Sequence, residues 1–253
     1  MTSGPGDREL SERARVVPLA PPPRPVPPPS WSFPDPARAD EDGVVGVGAD
    51  LAASTLVYAY RRGIFPWPHV RMPLPWFSPD PRGILPLDGV HVSRSLRRRV
   101  RECGWTTTVD TAFSAVIANC ADRPSADGTW ITPKMQRAYT HLHGLGWTHS
   151  VEVWDGHALV GGLYGVQVGG CFTGESMFHR ESDASKVALL DLADRLREAG
   201  ADLLDVQIVT PHLAALGAVE VPRGSFLDQL AAARDREVRL AVDPRPAARL
   251  APR

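Results

Sequence analysis

The chain has 253 residues, a formal net charge of −1 and 43% hydrophobic residues. That is enough to bury one or two real cores, and too nearly neutral for a protein that coats nucleic acid indiscriminately. Cys103, Cys120 and Cys171 form neither a CxxC pair nor a disulfide framework, as suits a reducing cytoplasm. No apolar run approaches the roughly 20 residues of a membrane span, and the amino terminus lacks a signal-peptide apolar region, so no membrane partner is expected.

In chain order, Pro18 to Pro36 contains ten prolines, which favour extended polyproline and forbid helix. The stretch is expected to be a solvated, disordered spacer, residues 1–32 forming a tail. Ser54-Thr55 opens a helix that ends at Arg61-Arg62-Gly63. Three rigid, proline-flanked segments hold tryptophans: Ile64-Phe65-Pro66-Trp67, Trp76-Phe77-Ser78-Pro79-Asp80-Pro81-Arg82 and Trp130-Ile131-Thr132-Pro133. A single Trp is more often core packing, but loop placement also suits a face on which a nucleobase stacks. Arg94, Arg97, Arg98, Arg99 and Arg101 fall within eight residues. They read equally as a solvated helix face or as a phosphate-binding face.

Asp110 is placed as the cap of a helix with Phe113, Val116, Ile117 and Cys120 inward, and Thr132-Pro133 opens another through Met135, Ala138, Tyr139 and Leu142. Ser150 to Trp154 and Ala158 to Val168 flank an Asp155-Gly156 hairpin signal, and Gly169-Gly170 turns the chain into Cys171 to Phe178, making an antiparallel meander. Strict alternation puts Thr173, Glu175 and Met177 on one face, opposite Phe172, Ser176 and Phe178. Asp183 is expected to cap a helix stopped by Gly200, which leads into Leu203 to Val209. Along that strand Leu204, Val206 and Ile208 share a face, with Asp205 and Gln207 opposite. A buried carboxylate and amide cost about 1–3 kcal/mol each if unsatisfied, so this pair is the candidate reaction centre. Asp243 to Arg249 reads as a second tail, residues 241–253.

The fold class is therefore α+β: a small N-terminal α/β unit at 33–88 and a mixed-sheet catalytic unit at 89–240. The meander, helix and final strand resemble the acetyltransferase superfamily fold, without its glycine-rich coenzyme A loop between Phe178 and Ala188. Three tempting features do not make sites. His141 and His143 point about 200° apart on a helix and do not chelate. Ser176 lacks a nucleophile elbow, and Cys171 reads as core.

Ten motifs in order from about Phe33 to Leu230 resemble the leucyl/phenylalanyl-tRNA–protein transferases. They include Tyr60-Arg-Arg-Gly-Ile-Phe-Pro-Trp67, Phe77-Ser-Pro-Asp-Pro-Arg82, His91-Val-Ser-Arg-Ser95, Thr129-Trp-Ile-Thr132, Gly174-Glu-Ser-Met-Phe178, Asp183-Ala-Ser-Lys186 and Thr210-Pro-His212. The resemblance implies transfer of leucine or phenylalanine, less readily methionine, from aminoacyl-tRNA to the α-amino group of proteins beginning with Lys or Arg. That marks them for degradation, in the cytoplasm, by a monomer with no cofactor and neither metal nor coenzyme A.

Residue by residue, Asp205 and Gln207 match a relay in which the carboxylate polarises the amide that draws a proton from the amine. On physical grounds Gln207 orients the amine while Asp205 fixes the amide and supplies negative potential. Glu175 matches an acidic residue near the reaction centre, and Trp67 and Trp130 match the aromatics that hold the terminal adenosine. Leu163, Phe172, Gly174, Met177, Leu189, Leu192 and Leu204 match the amino-acid side-chain pocket. Leu192 stands where the best-studied members carry an aromatic residue. Two other readings are an aminoacyl-tRNA-dependent transferase acting on a cell-wall peptide precursor, and a noncatalytic tRNA-binding module, in which Asp205 and Gln207 would have no role.

Overall fold

The computed structural model describes residues 16–68, 73–122 and 129–251. From the amino terminus come β1 (Val44–Val47), α1 (Ala53–Tyr60), β2 (Phe65–Pro66), β3 (Pro75–Phe77), β4 (Arg82–Ile84), α2 (Arg94–Glu102), β5 (Thr106–Val109), α3 (Phe113–Ala121) and α4 (Pro133–Gly144). Then follow β6 (Thr148–Asp155), β7 (Ala158–Val168), β8 (Cys171–His179), α5 (Ala184–Glu198), β9 (Leu203–Gln207), α6 (Pro211–Ala214), β10 (Val219–Val221), α7 (Arg223–Ala233) and β11 (Arg245–Pro246). β1, β3 and β2 form a small sheet, and the other strands form an eight-stranded sheet in the order β10-β4-β9-β8-β7-β6-β5-β11. The chain is thus α+β. Because β4 lies inside the large sheet, that sheet draws on both sides of residue 88.

β6, β7 and β8 form the expected meander. Asp155 pairs with Ala158, so the first turn is Gly156-His157, one residue later than the hairpin signal suggests. Gly169, at φ +60, makes the second turn, and a Cβ there would sit 2.5 Å from the Arg234 backbone. Gly161 matters for packing instead. A Cβ on it would lie 2.5 Å from that of Ala184, so its absence lets α5 settle directly on β7. α5 buries Val187, Ala188, Leu189, Leu192 and Leu196 in one apolar cluster with Leu163, Phe172, Leu204 and Val206. α1, α3, α4 and α7 contribute to a second cluster, with Tyr164, Val166, Cys171 and Phe178 from the sheet.

Several local expectations change. Glu175 is an extra residue in β8, because Gly174 pairs with Gly165 while Ser176 pairs with the adjacent Tyr164. This bulge reverses the alternation, so Met177 joins Phe172 in the α5-side cluster and Phe178 joins Cys171 in the other. β9 stops at Gln207, whose φ is +65, and Ile208 beyond it is 41% exposed instead of continuing a buried face. Asp183 takes the expected N-cap position of α5, its carbonyl accepting from the Val187 amide, but at φ +71 its side chain makes no cap bond and pairs with Lys186 at 2.7 Å instead. Asp110, at φ +59, does not cap its helix: it accepts from His149 Nδ1 and the Ser150 amide, and Glu152 accepts from the Thr111 and Ala112 amides before α3.

The ends are docked. Leu19 bridges Ala241, the Ala20 amide donates to Leu240 O, and the Arg24 amide donates to Leu145 O. At the other end β11 pairs with β5, and Arg195, fully buried on α5, donates to the carbonyls of Ala241 and Asp243. The solvated-tail expectation therefore fails for residues 18–24 and for 243–251; residues 1–15, 252 and 253 lie outside the described residues.

Candidate active site

The parallel pair β8·β9 holds register for only three residues, ending at Thr173 opposite Asp205. Past that point Gly174, Glu175, Ser176 and Met177 on one strand, and Val206, Gln207 and Ile208 after the other, line a cavity of about 360 Å³. Its apolar floor includes Leu163, Leu189, Leu192 and Leu204, and its lining also includes Trp67 and Trp130. Of the residues expected at the reaction centre, the adenosine site and the side-chain pocket, this cavity brings together all but two. Phe172 is fully buried in the apolar cluster next to it, and Asp205 is fully buried and lines no part of it. Of the other tryptophans in the proline-flanked segments, Trp76 is 1% exposed and donates to Gly48 O, so it is core.

Asp205 is held by charge. Arg82 donates to both of its oxygens, Nε to Oδ1 at 2.8 Å and Nη2 to Oδ2 at 2.7 Å, and a third donor nitrogen, Nη1, reaches Gly63 O at 3.0 Å. Phe65 and Phe226 flank the guanidinium at 4.9 and 4.3 Å from their ring centres. The Thr173 hydroxyl and the Gln207 backbone amide complete the carboxylate's shell. Two expectations are thereby corrected. Asp205 bonds the backbone of Gln207 rather than its side-chain amide, and Arg82 balances the negative potential it was expected to supply.

The carboxylate that meets the side-chain amide is Glu175. Gln207 Nε2 donates to Glu175 Oε1 at 3.0 Å, Tyr60 donates to the same oxygen at 2.7 Å, and Tyr139 donates to Oε2 at 3.3 Å. Burial pushes the Glu175 carboxyl up to about 7, against the opposing pull of the bonds from Tyr60, Tyr139 and Gln207. The same burial, with the Glu175 charge, raises both tyrosines well above their ordinary range, so they remain neutral donors. Gln207 has the left-handed backbone that costs a non-glycine residue about 1–3 kcal/mol and persists only where its surroundings over-determine it. Here that conformation leaves its amide N–H on Asp205 and its side chain on Glu175.

Two family models match the chain: residues 84–231 match leucyl/phenylalanyl-tRNA protein transferase, and residues 49–80 match its N-terminal domain. The chain belongs to the leucyl/phenylalanyl-tRNA protein transferase family. It is 52% identical over 204 residues to the leucyl/phenylalanyl-tRNA–protein transferase of Anaeromyxobacter dehalogenans, covering 80% of this chain and 88% of that one. The enzyme of the same name from Xanthomonas euvesicatoria is 50% identical over 210 residues, 82% of each chain. That of Stutzerimonas stutzeri is 50% identical over 208 residues, 81% and 92%. L-PGS from Bacillus licheniformis, a solved structure, is a weak likeness: TM-score 0.37, 14% identity, 60% of this chain and 51% of that one. A likeness that weak establishes neither fold nor function.

As an aminoacyl-tRNA–protein transferase, the chain is an enzyme, and among its described residues no helix is long and apolar enough to cross a membrane. Sequence reasoning missed Arg82, Tyr60 and Tyr139 as parts of the site. Tyr139 falls on the apolar face of a helix and reads as core, Tyr60 stands in a motif that attaches no role to it, and Arg82 follows Asp80 closely in sequence while its partner, Asp205, lies 123 residues away. The arginines of α2 line no part of the cavity. Arg94, Arg97, Arg98 and Arg101 are exposed, whereas Arg99 lies over Trp105 at 4.7 Å and pairs with Glu181 at 3.6 Å.

Proposed function

We propose that the protein transfers leucine, or phenylalanine and less readily methionine, from aminoacyl-tRNA to the α-amino group of proteins that begin with Lys or Arg, creating a degradation signal. The observation that carries this reading is the Glu175–Gln207 hydrogen bond at the wall of an apolar cavity that Trp67 and Trp130 also line. The leucines and Met177 suit an aliphatic or aromatic side chain. The tryptophans suit the terminal adenosine, for which stacking contributes about 1–3 kcal/mol per base.

An aminoacyl ester is already activated, so the site must align a neutral amine and handle one proton. The α-ammonium of a protein has a pKa of about 8 and loses its proton readily. An amide oxygen is too weak a base to take that proton outright. One N–H of Gln207 Nε2 is given to Glu175, which polarises the amide and leaves Oε1 as an acceptor that aims the amine at the ester carbonyl. The C–N bond forms, the ester C–O bond breaks, and the proton passes to the ribose oxygen, with the vicinal hydroxyl as shuttle. Asp205 and Arg82 act through Gln207 by fixing its backbone. We read the catalytic layer as acetyltransferase-like, because β8 and β9 are parallel and part at the reaction centre. The deciding assay is transfer of radiolabelled leucine from Leu-tRNA to an Arg-initiated peptide. Transfer to a lipid-linked cell-wall peptide instead, or binding without turnover, would overturn the reading.

A further inference from the structure

A second depression, larger at about 970 Å³, adjoins the aminoacyl cavity, Met177 and His212 lining both. His179, Arg180 and Asn119 also line it, and among the described residues Asp122 is the acid in its lining. Arg180 is exposed yet aimed: Nε and Nη2 both donate to Asn119 Oδ1, at 3.0 and 2.6 Å, which orients the guanidinium and leaves Nη1 for another acceptor. Burial first, and then Lys186 and His179, hold the His212 imidazole below its usual range. The next residue after Arg180, Glu181, pairs with Arg99 at 3.6 Å, so α2 is tied to the chain beside Arg180.

We propose that this groove carries the single-stranded 3′ end of the donor, with Arg180 contacting the phosphodiester on the 5′ side of the terminal adenosine. The proposal rests on the aminoacyl-tRNA reading above. A strand whose last base lies between Trp67 and Trp130 must leave the cavity through an opening, and this one leads toward the arginines of α2. The acceptor, with an α-ammonium and a Lys or Arg side chain, is the wrong sign for Arg180. A phosphodiester has the right sign, and a planar guanidinium matches its paired oxygens.

The test compares leucyl-adenosine, which has no phosphate, with a leucylated cytidylyl-cytidylyl-adenosine trinucleotide, using wild type, Arg180→Ala and Arg180→Glu. Both variants should raise KM for the trinucleotide, Arg180→Glu the more, and flatten its log–log salt dependence by about 0.7 for one single-strand phosphate contact. KM for leucyl-adenosine and for an Arg-initiated peptide should stay at the wild-type value. The adenosine substrate also reports that the variants are folded. A raised KM for the peptide would give the groove to the acceptor, and an unchanged trinucleotide would remove Arg180 from the strand's path; either overturns the proposal. If wild type itself fails to transfer from leucyl-adenosine and from Leu-tRNA, the underlying functional reading falls, which is a different result.

Discussion

Removal of the Asp205 carboxylate would leave the Arg82 guanidinium, 1% exposed, without its bidentate partner. Breaking a buried pair from one side costs about 3–5 kcal/mol. Asp205→Ala is therefore expected to lose about that much stability in denaturant titration. Gln207→Ala keeps the pair and should unfold like wild type, yet lose turnover with little change in donor binding, because its contact matters mainly as the amine attacks. Wild-type turnover in Gln207→Ala would move the reaction centre elsewhere. Glu175 supplies a test by pH. Its carboxyl, raised by burial to about 7, must be ionised to polarise Gln207, and the acceptor amine must be neutral. Below pH 7 the logarithm of the rate at low acceptor concentration should fall by about two per pH unit in wild type and about one in Glu175→Gln. Stability depends on the same proton. A raised carboxyl stabilises the fold fully below about 4.5 and loses that contribution as pH rises through about 7, so Glu175→Gln should gain on wild type in melting temperature from pH 5 to pH 8. An unaltered slope of two in the variant would assign the second proton to another group. The polar residues in β9 were legible because carboxylates and amides are rare among buried strand positions. The partner of each was not, since Arg82 and Tyr60 are brought there by long-range packing that no local spacing encodes.

Along α2 the five arginines have unequal freedom. Arg99 is committed to Trp105 and Glu181, and Arg101 donates to Ala251 O, while Arg94, Arg97 and Arg98 are exposed. Those three are the ones free to meet phosphate. Replacing them together with Ala should weaken full-length Leu-tRNA and flatten the salt slope by about 0.9 for each duplex phosphate no longer neutralised, with melting temperature and leucyl-adenosine turnover unchanged. Weakening on both substrates would mean damage to the fold, and an unchanged slope would make this an ordinary solvated face. Periodicity found α3, α4, α5 and the meander because each is an amphipathic element. It could not find the bulge at Glu175, which exists only as a mismatch of register between β7 and β8. The misplaced cap has a related cause: Asp favours both helix N-caps and left-handed turn positions, and Asp110 takes only the second role, while Asp183 combines the N-cap position with a positive φ.

At the scale of the whole molecule, the prolines near the amino terminus fix an extended conformation but do not say whether that chain is solvated. An extended segment has no internal hydrogen bonds, so the few non-proline amides within it need partners. Ala20 and Arg24 find theirs at Leu240 O and Leu145 O. The body answers with three donors: the Val242 amide to Pro18 O, Trp147 Nε1 to Arg24 O and Arg239 Nε to Ala20 O. At about 0.5–1.5 kcal/mol per bond, these offset the entropy of ordering a short segment only because proline already restricts the unfolded chain. Deleting the chain through Arg24 is therefore expected to lower the melting temperature by a few degrees and to speed hydrogen exchange at the Val242 amide, which loses its acceptor. The aminoacyl cavity is lined by none of these residues, so leucine transfer at a temperature well below melting should persist. A truncated protein with wild-type melting and a still-protected Val242 amide would return this segment to the role of a solvated spacer.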